Sequence, residues 1–170
     1  MLNIYPTICW QAKCLKVEET LFIPYMDMKN VKIYSSGSCD STRRVGCFFA
    51  ALEYEGRFKY VAGEIDNATA DRCILHGFLE ALHLIKEPCT LTFVTATHFS
   101  FNRLGEPKGA NKDLKRLFLR MLDEKQCHFE FEEWHGGGSQ LRSQISEIES
   151  KAIKVEPSKI LEIYDLPASK

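Results

Sequence analysis

The feature that most constrains this chain is a change in the period of its hydrophobic residues. Val31 to Tyr34, Val45 to Tyr54 and Phe58 to Glu64 are rich in β-branched and aromatic residues. In the last of them Phe58, Tyr60 and Ala62 alternate with Lys59, Val61 and Gly63. Such segments read as strands, and Glu55-Gly56 as the tight turn between the second and third. From Thr69 to Lys86 the period becomes helical: Ile74, Phe78, Ala81, Leu82 and Ile85 share one face, Thr69 is the N-cap, Asp71 lies in the first turn and Pro88 is the stop. A strand over Leu91 to Thr95, a helix from about Asn111 to Glu124, a strand over Cys127 to Trp134 and a helix over Leu141 to Ile153 follow. Three strands and then alternation describe an α/β fold, a five-stranded mixed sheet flanked by helices.

This pattern divides the 170 residues into a β-rich N-terminal extension packed on the core (1–30), the α/β domain (31–153) and a C-terminal tail (154–170). A net charge of -1 argues against a nucleic-acid-coating protein but leaves room for a local basic face. No apolar run approaches the ~18 residues of a membrane span. Met1 to Trp10 lacks the basic start and small-residue cleavage site of a signal peptide. Seven cysteines, an odd number with no Cys-x-x-Cys pair, read as free thiols in a reducing cytoplasm.

Chemistry in such a sheet usually sits at the C-terminal ends of its strands. Here that place is Ser35 to Cys39, read as a small polar turn after the strand Val31–Tyr34. The run Tyr34-Ser35-Ser36-Gly37-Ser38-Cys39 resembles the first strand of the ribonuclease H family, whose pattern is Tyr-Thr-Asp-Gly-Ser-Cys. Gly63 to Arg72, with Leu75, is similar to that family's approach to its first helix. Phe93 to His98 is similar to its fourth strand end, and Leu141 to Ala152 to its last helix. The resemblance covers roughly Val31 to Ala152 and implies the ribonuclease H-like fold.

The family's four metal-binding carboxylates fall on Ser36, Ile74, Ala96 and Ser146. Two-metal hydrolysis needs carboxylates around ions ~4 Å apart, and Mg²⁺ wants hard oxygen ligands. Residues of these types supply neither, so the expectation is a pseudoenzyme with no metal and no cofactor. Asp40, Glu64, Asp71 and Glu147 are the nearest acids in sequence and read as caps and solvated surface. His135, before Gly136-Gly137-Gly138, falls on the family's mobile-loop histidine. Cys39, Cys73, His76 and His135 could form a nucleophile–base set, but their spacing does not demand one.

The resemblance also implies residues that touch nucleic acid. Thr97 and His98 fall where family members meet the backbone, and Asn67 lies near a similar zone. Pro107 to Leu114 matches the family's basic protrusion. Lys108, Lys112, Arg116 and Arg120 are the cations there, the last three at i, i+4 and i+8.

Three functions are carried forward in this order. The first is an inactive binding or scaffold module, through protein contact or self-association. The second is a non-cleaving binder of RNA–DNA hybrid or double-stranded RNA. The third is a metal-dependent nuclease with a relocated site. No membrane partner is expected.

Overall fold

In the computed structural model the described residues are 28–96, 109–135, 143 and 153–154. Residues 1–27 of the N-terminal extension, residues 97–108, most of the helix expected over Leu141 to Ile153 and the tail from residue 155 lie outside them. The elements are β1 (Asn30–Asp40), β2 (Val45–Tyr54), β3 (Arg57–Asp66), α1 (Ala70–His83), β4 (Thr90–Thr95), α2 (Lys112–Glu124), β5 (His128–Glu133) and the two-residue β6 (Ile153–Lys154).

The sheet has the order β5-β4-β1-β2-β3-β6. Pairs β1–β2 and β2–β3 are antiparallel, whereas β1–β4, β4–β5 and β3–β6 are parallel. The five expected strands thus form one mixed open sheet. Ile153, expected to end a helix, instead pairs with Val61 at the edge of β3.

Alternation decides which side is buried. Val31 and Ile33 of β1, Ala50 and Leu52 of β2, Val61 of β3, and Leu91 and Phe93 of β4 point into one core. Leu75, Phe78, Leu79 and Leu82 of α1 meet them, together with Leu114, Phe118 and Met121 of α2. Phe93 is the centre of this layer, edge-on to Phe78 at 5.1 Å and to Phe118 at 4.8 Å between ring centroids. Such geometry suits the ring quadrupoles and adds to the area each ring buries.

α1 begins as expected: the Thr69 side chain accepts a hydrogen bond from the Arg72 N–H. It ends at His83, before Lys86, and the Leu84 and Ile85 N–H groups close on Ala81 and Leu82. Ile85 still reaches the core from outside the helix.

Candidate functional site

The first correction concerns Ser35 to Cys39, which form the second half of β1 rather than a turn. The ladder to β2 runs unbroken through Ser36↔Phe49, Ser38↔Cys47 and Asp40↔Val45. Once β2 presents a continuous row of donors and acceptors, pairing outweighs the local turn preference of Ser and Gly. The reversal comes later, over Ser41–Arg44. Asp40 closes it by accepting from the N–H groups of Thr42 and Arg43.

The strand end and α1 are in close contact, and two glycines allow it. A Cβ on Gly37 would lie 2.6 Å from the Ala70 carbonyl oxygen and 2.8 Å from the Ile74 nitrogen. One on Gly77 would lie 2.3 Å from Ser35 Oγ. With both Cβ atoms missing, Ser35 Oγ sits buried and donates to the Ile74 carbonyl at 2.9 Å. That bond ties the residue beside Ser36 to the residue that aligns with a family ligand.

The parallel register of β1 with β4 pairs Tyr34 with Val94. Two residues further along come Ser36, still within β1, and Ala96, just past the end of β4. Ser36, Ile74 and Ala96 are thus brought to one end of the sheet, while Ser146 lies outside the described residues. Ile74 is only 6% exposed and packs in the core. Among the described residues, no three His, Cys, Asp or Glu side chains converge to hold a metal. A serine hydroxyl, an isoleucine and an alanine do not fit a two-metal centre, so these residues carry no step that runs through one.

Cys73 and His76, two members of the nucleophile–base set, are both buried on α1. Burial, helped by the neighbouring Cys39 and Cys47 thiols, pushes the Cys73 thiol up to about 12. A thiol held in that form is a poor nucleophile. Burial, together with the Arg72 charge, pulls His76 down to about 4, and neither ring nitrogen has a hydrogen-bond partner. His135 is exposed, in a turn after β5.

The basic stripe is where the helical spacing put it. Lys112, Arg116 and Arg120 are all exposed on α2. Eight residues of helix sweep them through about 80° and separate the ends by about 12 Å. Arg120 donates to Glu124 at 2.7 Å, which leaves Lys112 and Arg116 as the stronger anion-facing pair. Asn67 is exposed in the left-handed region (φ 54°), and its N–H donates to the Arg44 carbonyl at 2.6 Å. Thr97, His98 and Lys108 lie outside the described residues.

Sequence reasoning missed two features. Arg43 and Arg44 are exposed in the turn after β1, at the same end as Asn67. Their signal was a pair of arginines in a polar turn. The second is Arg72, which donates to both carboxylate oxygens of Asp113, at 2.9 and 3.3 Å, and to the Asn111 carboxamide at 3.2 Å. Asn111 is the N-cap residue of α2, yet its side chain makes no cap bond because Arg72 engages it. Burial alone would raise the Asp113 carboxyl, but the Arg72 hydrogen bond and charge outweigh it and hold it low. The forked pair fixes the first turn of α2 against the first turn of α1. Arg72→Ala is expected to destabilise the fold by about 2 kcal/mol, because Asp113 stays half-buried without its cation. Urea unfolding at neutral pH measures this, and a loss below the error of the midpoint would refute the role.

No family model matches the chain. It is 31% identical to the ribonuclease H of Oleidesulfovibrio alaskensis over 108 residues, which are 56% of this chain and 70% of that protein. It is 34% identical to the ribonuclease H of Caldicellulosiruptor saccharolyticus over 79 residues, 46% of this chain and 54% of the relative. It is 27% identical to the ribonuclease H of a Sulfurovum species over 119 residues, 64% of this chain and 81% of the relative. The chain thus spans about half the length of the Caldicellulosiruptor protein and more of the other two. These similarities overturn the expectation that the chain is not an enzyme, since every one of these relatives is named for an enzyme. Four positions were too narrow a basis for that expectation beside similarity over 79 to 119 residues.

Proposed function

The chain belongs to the ribonuclease H family, and from that premise we propose that it engages an RNA–DNA hybrid. Contact would run along the basic face of α2 and the nearby strand ends. The supporting observation is the Arg72 bridge. It holds the start of α2, and so Lys112, against the first turn of α1, two residues before Ile74, whose carbonyl accepts from Ser35. Lys112 and Arg116 meet one phosphate backbone in this reading, with the exposed Asn67 as a further contact; the resemblance implies Thr97, His98 and Lys108 as others. Arg43 and Arg44 add charge at the same end. Phosphate contacts of this kind give affinity and register rather than sequence choice. The 2′-hydroxyls in the wide minor groove of an A-like duplex would separate hybrid from DNA.

Among the described residues, no helix is long and apolar enough to cross a membrane. Among the described residues, no cysteine is in a disulfide.

Fluorescence anisotropy with labelled hybrid and labelled DNA duplex, over a salt series, tests the proposal. The expected result is tighter binding of hybrid. Joint reversal to glutamate of Lys112, Arg116 and Arg120 should lower the slope of log affinity against log salt by about 2 to 3. An unchanged slope in the triple variant would exclude α2 as the contact. Gel analysis of the same hybrid with Mg²⁺ or Mn²⁺ reads ribonuclease activity directly.

A further inference from the structure

Cys89 and Cys127 lie 38 residues apart in sequence and come together in space at the start of two neighbouring strands. Their sulfur atoms are 3.7 Å apart. The parallel register pairs Thr90 with His128, so the residue before each is its neighbour's counterpart. Backbone bonds hold both in place: the His128 N–H donates to the Cys89 carbonyl at 3.1 Å and the Cys127 N–H to the Leu122 carbonyl at 3.0 Å. Adjacent strands run about 4.8 Å apart, inside the ~4.4–6.8 Å Cα separation that a disulfide spans. Only the sulfurs must move, from 3.7 Å to a bond of about 2.05 Å, which side-chain rotation supplies.

We propose that Cys89 and Cys127 form a reversible disulfide by exchange with a small-molecule disulfide. Cys89 is 2% exposed and Cys127 is half-buried, so Cys127 meets the reagent first. The Cys127 sulfur displaces one half of the small disulfide, and that half leaves as a thiol with the Cys127 proton. The Cys89 sulfur then attacks the Cys127 sulfur of the mixed disulfide and expels the second thiol with its own proton. Two protein S–H bonds and one small S–S bond become one protein S–S bond and two small thiols.

The exposed Cys39 and Cys47 stand near Cys73, at the far end of β1 from Cys89, whose neighbour Thr90 pairs with Asn30. Cys39 faces Gly46 across the β1–β2 ladder and Cys47 faces Ser38. Burial and the neighbouring Cys127 thiol raise the Cys89 thiol. The closed loop would contain β4 and α2 and would tie the edge strand β5 to β4. Cross-linking a loop of this size restricts the unfolded chain.

The test treats the full-length chain with oxidised glutathione and maps its peptides without reduction by mass spectrometry. The expected product joins the Cys89 and Cys127 peptides, disappears with dithiothreitol and is unchanged in a Cys39→Ser/Cys47→Ser double variant. Oxidation should raise the melting temperature by at least ~5 °C in the wild type and leave Cys127→Ser unmoved. A glutathione adduct that persists on Cys127 while Cys89 stays free would overturn the proposal. So would a cross-link between other cysteines, or full recovery of both thiols.

Discussion

Gly37→Ala is expected to lower the stability of the fold by about 3 kcal/mol, at the upper end of what overpacking a core costs. The added methyl would press on the Ala70 carbonyl oxygen at 2.6 Å, and on Cys73 Cβ and the Ile74 nitrogen, both at 2.8 Å. Two of these three atoms belong to the α1 backbone, so no side-chain rotation relieves the clash. α1 would have to move off β1, which would break the bond from Ser35 Oγ to the Ile74 carbonyl. Gly56→Ala is the control: its φ is +73° but nothing lies within 4 Å of the added atom, so only about 1 kcal/mol should be lost. Urea unfolding of the two variants side by side decides the matter. If Gly37→Ala is no worse than Gly56→Ala, the close approach of helix to strand is not what the glycine serves.

The second large effect is a pair of opposing pH dependences from one helix face. His76 and Glu80 are one turn apart on α1, 0% and 6% exposed. The two His76 ring nitrogens and Glu80 Oε1 are buried without hydrogen-bond partners. Burial, with the Arg72 charge, lowers His76 from 6.5 to about 4, against a smaller upward pull from Asp113. The unfolded chain takes up this proton below 6.5 and the folded chain does not until about 4. The neutral imidazole's contribution is therefore present above 6.5 and lost as the pH falls to 4.

Burial raises Glu80 from 4.5 to about 7. Its neutral carboxyl contributes stability fully below 4.5, and that contribution is lost as the pH rises to 7. Each group accounts for about 3 kcal/mol across its window. In the wild type the two slopes oppose between 4.5 and 6.5, so its stability should vary little there. Glu80→Gln should uncover the His76 slope and lose stability as the pH drops from 6.5 to 4. His76→Phe keeps the ring stacked on Phe48 and should uncover the Glu80 slope, losing stability as the pH rises from 4.5 to 7. Urea midpoints at four pH values across this range test both variants. Flat profiles in both would mean that these groups are solvated in the folded chain.

The corrected enzyme reading shows where motif comparison reaches its limit. The β1–β4 register and the Ser35–Ile74 bond bring the stretch around Ser36, Ile74 and Ala96 to one region of the sheet. What those residue types mean for activity was a separate inference, and the similarity to proteins named ribonuclease H opposes it. A hydrolysis assay on the purified chain bears on that question directly.

The order of elements from β1 to β5, the faces of α1 and α2 and the Thr69 cap were written in the sequence. Each depends on side chains only a few residues apart: an apolar stripe at helical spacing, an alternation along a strand, a hydroxyl three residues before an N–H. The tertiary structure alone decided the rest. β1 runs on through Ser35–Asp40 because β2 offers it a partner. Arg72 reaches Asp113 across 41 residues, and Cys89 meets Cys127 across 38. The packing of α1 against the sheet removes the water from His76 and Glu80. Local periodicity records which side of an element will be buried. Only the assembled sheet determines what each buried polar group will face, because its partners come from parts of the chain that no short window contains.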